Sequence, residues 1–322
     1  MARCLGSELL VLVDKNISLL RITDFSRSEV NALFDVAARL KKERAAGVSH
    51  RLLEGKSLGM IFRKSSTRTR ISFEVGMFQL GGMAVFLQDE HLQMKRGESM
   101  ADTARVFSRY LDGILIRTYD HSEAEELAKE ADIPVINALT DEYHPCQILA
   151  DLFTIKEKKG TLDGVKVVYI GDGNNVANSW LLGAALMGVN ITVITPEGYE
   201  PDPEIVAEAK SIASQTGGLV ETGHDPATGV KGAHVLYTDT WISMGMDAEA
   251  DIRKKAFSGH QLNEALIELA EPDVMVMHCL PAHRGEEISA GAIDGPHSVV
   301  WDEAENRLHI QKAILLKLIG DK

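Results

Sequence analysis

The sequence predicts an α/β fold: two sequential α/β domains, each a mainly parallel sheet flanked by helices. Short apolar runs recur along the chain with helical patterns between them, the mark of a parallel sheet covered on both faces. The chain has 322 residues, which suits two domains of ordinary size. Hydrophobic residues make up 45% and charged residues 25%, enough apolar material for two cores without the charge excess of a disordered chain.

Taken in order, Ser26 and Glu29 have capping-box spacing. Val30, Leu33, Phe34, Ala37 and Leu40 then repeat with a helical period to about Ala46. Strand-like runs follow at Leu58–Phe62, Met83–Leu87, Gly113–Ile116 and Pro134–Asn137, with helical patterns near 70–80, 99–110 and 122–131. A longer helical pattern from Cys146 to Lys159 stops at Gly160, a suitable C-cap. The alternation restarts with Val165–Ile170, Ile191–Thr195, His234–Thr238, Val274–Met277 and Ser298–Trp301. Helical patterns lie near 175–187, 203–216, 249–256 and 260–268. We therefore expect a first domain over 1–150 and a second over 151–322, with a last amphipathic helix, about 303–319, packing back on the first domain.

Composition excludes several functions. The formal net charge of -13 disfavours a general nucleic-acid binder, which needs a basic face to displace counterions. Three widely spaced cysteines, Cys4, Cys146 and Cys279, fit a reducing compartment and no disulfide framework, and no Cys/His cluster has zinc spacing. The opening MARCLGSELLVLVDKN carries a short apolar stretch interrupted by Glu8, without a clear small-residue cleavage site, so we read no secretory signal there. No run approaches the about 20 apolar residues of a spanning helix, so no membrane role is expected. The expected location is cytoplasmic.

The strongest chemical signal is Phe62-Arg63-Lys64-Ser65-Ser66-Thr67-Arg68-Thr69-Arg70, between a strand-like run and a helical one. Four basic residues fall within positions 63–70 with no acid among them. Ser66, Thr67 and Thr69 offer hydroxyls, a helix start offers N–H groups, and Arg68 can grip phosphate oxygens with two parallel charge-assisted bonds. A helix cap with solvated arginines is the plainer reading of the same residues. The segment is not a P-loop, because the glycine spacing and Gly-Lys-Ser/Thr are missing.

Other clusters also fall at predicted strand ends, where open α/β sheets bind ligands. Arg117 follows Gly113–Ile116, and His144-Pro145-Cys146-Gln147 precedes the long helix. Alone, the first reads as a salt-bridge partner and the second as a turn. Gln93 sits in a polar loop ending Gly97-Glu98-Ser99. Asp172-Gly173-Asn174-Asn175 follows Val165–Ile170, and Gly171-x-Gly173 looks like half a dinucleotide fingerprint; its last position is Val176, so we set NAD aside. Thr238-Asp239-Thr240-Trp241-Ile242-Ser243-Met244-Gly245 and His278-Cys279-Leu280-Pro281 end two further strands. A buried cysteine such as Cys279 is most often a small hydrophobe.

Together these motifs resemble the aspartate/ornithine carbamoyltransferase superfamily. The Ser-Thr-Arg-Thr-Arg core, the His-Pro-x-Gln motif and His-Cys-Leu-Pro are all present, and the resemblance runs from about residue 17 onward; residues 1–16 depart from the family's usual short start. It implies that carbamoyl phosphate is held by Ser66, Thr67, Arg68, Thr69, Gln93, Arg117, His144, Gln147, Cys279, Leu280 and Arg307. Arg117, His144 and Thr69 would contact the carbonyl oxygen, Gln147 the amide, and Gln93 the phosphate of a neighbouring subunit's site. Asp-x-x-x-Ser-Met-Gly resembles the ornithine branch, where an acid suits a cationic amino acid. It implies that Asn175, Asp239, Ser243 and Met244 hold L-ornithine and that the Ser-Met-Gly loop closes over it. The run Ala282-His283-Arg284-Gly285-Glu286-Glu287 resembles bacterial members. Arg68, Arg117, His144, Asp239 and Cys279 are the expected catalytic residues. The implied reaction is direct, ordered with carbamoyl phosphate first, and uses no metal or organic cofactor. The resemblance also implies a homotrimer, with higher assemblies of trimers open. A carbamoyltransferase for putrescine or a modified ornithine, and a non-catalytic relative, are the alternatives.

Overall fold

The computed structural model describes residues 17–243 and 245–321. The N-terminal stretch weighed above as a signal, with Cys4, lies outside the described residues, as does Met244. The described chain up to Leu149, joined by the residues from Asn306 onward, makes one compact unit, and Ala150–Glu305 makes a second.

The first unit opens with helix α1 (Arg27–Ala45), whose start is set by the expected capping box: Glu29 N–H donates to Ser26 Oγ, and Ser26 N–H to Glu29 Oε2. Its apolar face, Val30, Leu33, Phe34, Ala37 and Leu40, is buried. Strands β1 (Ser57–Phe62), β2 (Met83–Gln88), β3 (Gly113–Arg117) and β4 (Val135–Leu139) form a parallel sheet in the order β2-β1-β3-β4. Helices α2 (Thr67–Gln79), α3 (Met100–Tyr110) and α4 (His121–Glu130) connect them. One core of this unit gathers Ile61, Ile114, Ile116, Leu127 and Val135; fully burying a side chain of this kind stabilises by about 1.5–3 kcal/mol. Central β3 is buried throughout, whereas edge strand β2 is only half-buried.

Helix α5 (Pro145–Lys159) leads onward, and Gly160 follows it with φ 79°, the left-handed conformation that a C-cap needs. The second unit holds β5 (Lys166–Ile170), β6 (Asn190–Ile194), β7 (Val220–Gly223), β8 (Val235–Thr238) and β9 (Met275–His278), parallel in the order β7-β6-β5-β8-β9. Its helices are α6 (Asn175–Met187), α7 (Pro203–Thr216), α8 (Pro226–Gly229), α9 (Ala250–Ala256), α10 (Glu264–Ile267) and α11 (Ala290–Asp294); the last helix is α12 (Val300–Ile319).

One expected strand is corrected. Ser298–Trp301 is not a strand: Ser298 makes a single bridge to Val276, and the chain then enters α12 at Val300. Asp302 and Glu303 in the first turn favour a helix start, and Trp301 faces outward at 62% exposure, which overrides the β preference of the two valines. The fifth strand is instead β7, an edge strand with one buried apolar residue, Val220, and therefore little apolar signal. The pattern near 260–268 shrinks to α10, because Leu262 bridges to Ile288 and Asn263 caps the helix behind it.

Candidate active site

In each sheet the strand order reverses direction once, between β1 and β3 in the first and between β5 and β8 in the second. Loops leaving the carboxyl ends of two such strands diverge and open a crevice, the usual ligand position in an open α/β sheet. Several of the residues singled out from sequence lie at these points: Ser66, Thr67, Arg68 and Thr69 after β1, Arg117 at the end of β3, Asn175 after β5 and Asp239 after β8.

In the first unit, Phe62 and Arg117 are register partners at the ends of β1 and β3. Ser66 caps α2, its Oγ accepting from Thr69 N–H at 3.3 Å, so Thr67, Arg68 and Thr69 form the first helical turn. Three of the four basic residues serve structure. Arg63 bonds Asp89 at 3.1 Å and also Glu123. Lys64 pairs with Asp141 and lies over the Tyr119 ring. Arg70 bonds Glu74 at 2.9 Å and stacks over Phe86. Arg68 is half-buried and takes a different part: with Arg307 and Arg117 it belongs to the positive field around His144.

His144, Gln147 and Arg307 are buried. Arg307 Nη2 donates to Thr69 Oγ1 at 3.2 Å, and Nη1 donates to Gln147 Oε1, so helices α2, α5 and α12 each contribute one member of a polar trio. Burial first, and then the charges of Arg307, Arg117 and Arg68, hold the His144 pKa well below the ordinary histidine value. The imidazole is therefore neutral near pH 7 and carries one N–H to donate. This cluster gathers donors and positive charge around helix α2's N-terminus, which suits a small anion. Gln93 is exposed on the 3-10 turn Gln93–Arg96. Cys146 is buried, its thiol donates to Asn137 O, and burial pushes its pKa to about 12, so it is a structural cysteine.

In the second unit, Ile170 and Thr238 are register partners, placing Asp172 and Asp239 beyond adjacent strand ends. Asp239 is buried and collects three donors. Thr240 N–H reaches Oδ1 at 2.7 Å, Cys279 Sγ reaches Oδ1 at 2.9 Å, and Asn174 Nδ2 reaches Oδ2 at 2.9 Å. Desolvation and the Asp239 charge push the Cys279 pKa well above the ordinary thiol value, so it is a neutral donor rather than a thiolate. His278 Nδ1 accepts from Leu280 N–H at 2.9 Å, while Nε2 bonds buried Glu287 at 3.0 Å. Among the described residues, Leu280 is the one non-glycine with positive φ, at 59°. Its backbone is held in that sparsely populated region by the His278 bond. Asn175 opens α6 half-buried, and Ser243 is half-buried in the following loop.

Asp239, His278 and Cys279 bring ligand atoms within 4.8 Å of one another, a set that could meet a metal. Here those atoms are spent on hydrogen bonds with each other and with Leu280 and Glu287.

Sequence reading missed four supports of this cluster. Asn174 both caps α6 and holds Asp239. Arg253 bonds Asp172 at 2.8 Å and the Trp241 carbonyl at 3.1 Å, tying two loops together. Glu287 orients His278, and Glu303 accepts from His278 N–H at 3.0 Å. The Asn174-Asn175 pair at a helix start was a usable capping signal; the other three depend on tertiary proximity.

Residues 18–157 match the family described as the aspartate/ornithine carbamoyltransferase carbamoyl-P binding domain, and residues 163–318 match its Asp/Orn binding domain. The chain belongs to the aspartate/ornithine carbamoyltransferase family. A protein of Oceanobacillus iheyensis named ornithine carbamoyltransferase is 56% identical over 95% of this chain and 95% of its own length. One of Pyrococcus furiosus, named as the anabolic ornithine carbamoyltransferase, is 55% identical over 94% and 96%. The solved structure of ornithine carbamoyltransferase from Pyrococcus furiosus superposes with a TM-score of 0.93 at 54% identity, covering 96% of this chain and 99% of that one. That from Gloeobacter violaceus gives 0.85 at 48%, covering 94% and 98%.

In this carbamoyltransferase chain the second glycine of Gly171-x-Gly173 has a packing cause. A Cβ on Gly173 would lie 2.4 Å from the backbone of Glu200 and Pro201, so the close approach of that loop demands glycine.

Proposed function

We propose that the protein transfers the carbamoyl group of carbamoyl phosphate to the δ-amine of L-ornithine, giving L-citrulline and phosphate. The observation that carries the acceptor specificity is Asp239, a buried carboxylate at the strand reversal of the second sheet, held by Asn174 and Cys279. An acid there suits a cationic amino acid and opposes aspartate, whose second carboxylate needs basic partners.

In this reading Ser66, Thr67, Arg68, Thr69, Arg117 and Arg307 hold the donor's phosphate and carbonyl oxygen, and Gln147 its amide. Neutral His144 adds an N–H to the carbonyl. Cys279 and the Leu280 backbone complete the donor's contacts. Asn175, Asp239, Ser243 and Met244 hold ornithine. Gln93 serves a neighbouring subunit's donor.

The δ-ammonium first loses a proton, because a protonated amine has no lone pair. The neutral nitrogen attacks the carbonyl carbon, forming the C–N bond and a tetrahedral centre whose oxygen carries the displaced electron pair. Fixed donors at Thr69, Arg117 and His144 stabilise that charge. The oxygen's electron pair then re-forms the carbonyl as the carbon–oxygen bond to phosphate breaks, phosphate leaves with the bonding pair, and the attacking nitrogen gives its second proton to the departing phosphate. Positioning and charge stabilisation suffice for this chemistry, which needs no organic cofactor or metal.

The apolar side chains of Phe78 and of Met83, the first residue of edge strand β2, are 79% and 59% exposed and fit a surface covered in an oligomer; the resemblance to the family is the ground for taking it as a homotrimer. Among the described residues no helix is long and apolar enough to cross a membrane. We read it as a cytoplasmic enzyme of arginine biosynthesis or arginine catabolism, and the anabolic name of the Pyrococcus furiosus relative supports the biosynthetic direction.

The test is citrulline formation with purified protein and carbamoyl phosphate, comparing ornithine, putrescine and aspartate. Ornithine should give the highest kcat/KM. Faster turnover of putrescine would overturn the specificity, and no turnover of any amine would point to a non-catalytic relative.

A further inference from the structure

Arg307 is held by more than its two partners in the donor cluster. Gln311 lies one helical turn further along α12 and is fully buried. Its carboxamide fits its surroundings in one orientation. Oε1 accepts from Arg307 Nε at 3.1 Å and from Nη2 at 3.1 Å, and Nε2 donates to Ser72 Oγ at 2.5 Å. Ser72, on α2, passes the polarity on: its hydroxyl donates to Arg68 O at 2.7 Å, with Thr69 O at 3.2 Å.

These bonds form a directed chain. The Arg68 carbonyl accepts from Ser72, Ser72 accepts from Gln311, and Gln311 accepts from two N–H groups of Arg307. The same guanidinium donates to Thr69 and Gln147. Two edges of a planar guanidinium are thus fixed, Nε with Nη2 by Gln311 and Nη1 by Gln147, and a planar group held at two edges cannot rotate about its stem. A neutral acceptor does this without cancelling the positive charge that an anion needs, which a glutamate in the same place would do.

We propose that Gln311 is a positioning residue for carbamoyl phosphate binding. It sets the plane of Arg307 and, through Ser72, locks that plane to the helical turn that carries Arg68 and Thr69. This rests on the reading that Arg307 contacts the donor.

The experiment uses the full-length protein and four variants: Arg307→Ala, Gln311→Met, Ser72→Ala and the double variant R307A/Q311M. Citrulline formation is followed with each substrate varied, and inorganic phosphate is the competing probe. Losing a bond to a charged group should raise the carbamoyl phosphate KM and the phosphate inhibition constant of Gln311→Met by about tenfold, with the ornithine KM within about twofold of wild type. Ser72→Ala should move the same constants by less, which keeps the test alive if Gln311→Met folds poorly. Millimolar guanidinium should partly rescue Arg307→Ala, because the acceptors of Gln311, Gln147 and Thr69 form a slot for it, and should fail to rescue R307A/Q311M.

Unchanged donor constants in Gln311→Met or Ser72→Ala, or equal rescue in the two Arg307→Ala backgrounds, would overturn the assignment while leaving Arg307 in place. A melting temperature lowered with both KM values unmoved would assign Gln311 to stability alone and overturn it too. If Arg307→Ala itself leaves the donor KM unchanged, the donor role of Arg307 fails, and the positioning role fails with it.

Discussion

Cys279 Sγ donates to Asp239 Oδ1 at 2.9 Å, across 40 positions of chain. The thiol's raised pKa makes this a neutral donor steering a carboxylate, not a nucleophile beside its base. Cys279→Ala should therefore leave Asp239 one donor short and lower kcat/KM for ornithine by roughly ten- to a hundredfold. Cys279→Ser keeps a donor and should recover most of that loss. The carbamoyl phosphate KM should move less than the ornithine constants in both, because Cys279 is one of many contacts to the donor. Steady-state kinetics with each substrate varied checks this; equal losses for serine and alanine would remove the hydrogen bond from the argument.

Of the four basic residues at positions 63–70, three pair with acids of the fold, and in the proposed function the fourth, Arg68, holds the donor. Arg68→Ala should cut kcat/KM for carbamoyl phosphate by roughly 10²–10³-fold, the loss expected when two charge-assisted bonds to a phosphate are removed. Its melting temperature should match wild type. Arg63→Ala should show the reverse, because it abandons Asp89 and Glu123: a lower melting temperature with a smaller kinetic loss. Thermal denaturation alongside the citrulline assay separates the two, and unimpaired turnover in Arg68→Ala would refute the loop's role.

Most of the fold was legible because its central strands are buried on both faces and so read as unbroken apolar runs, as in Leu58–Phe62 and Gly113–Ile116. At residues 66–69 the helix start was legible, because Ser66 three positions before Thr69 at a strand-to-helix junction is a capping pattern, whereas the structural partners of Arg63, Lys64 and Arg70 lie far off in sequence or on the next turn. Strand β7 was hidden by its edge position, where Glu221 and Thr222 need no burial. Val299 and Val300 misled because tertiary context, with acids following, turned a β-favouring pair into a helix start. Gln311 and Glu303 were invisible for another reason. Each is a polar residue on an amphipathic helix, and only the packed structure shows that it faces inward onto Arg307 or His278.

The suppressed pKa of His144 gives a stability signature. An unfolded histidine takes up a proton near pH 6.5, whereas the folded protein keeps this one neutral well below that. The unfolded state thus binds the extra proton in the window beneath pH 6.5, and stability falls as pH drops through it. Above that pH the contribution is fully present. Wild type should lose stability more steeply than His144→Gln as pH falls below 6.5. Denaturant unfolding of both proteins at those pH values measures it. His50, His121 and His260, also shifted down, stay in both proteins and cancel. Parallel pH profiles would mean that His144 titrates normally.

Lys312 makes the same kind of demand in a higher pH window. It is fully buried, with Gln79 Oε1 at 3.1 Å and His50 Nε2 at 3.4 Å, and desolvation followed by the Arg44 charge lowers its pKa to about 8. Below pH 8 it is charged in both states, so the folded protein carries the desolvation penalty in full. Between pH 8 and 10.5 the unfolded chain holds the proton more often, and wild-type stability rises with pH as that penalty lifts. Lys312→Met removes the penalty and keeps the aliphatic stem. It should be more stable than wild type at pH 7 by about 1–3 kcal/mol, the lost bond to Gln79 offsetting part of the gain. The advantage should shrink steadily from pH 8 to 10. Urea unfolding across that range decides the matter: a variant less stable at pH 7, with a gap that ignores pH, would show that Lys312's hydrogen bonds outweigh its desolvation.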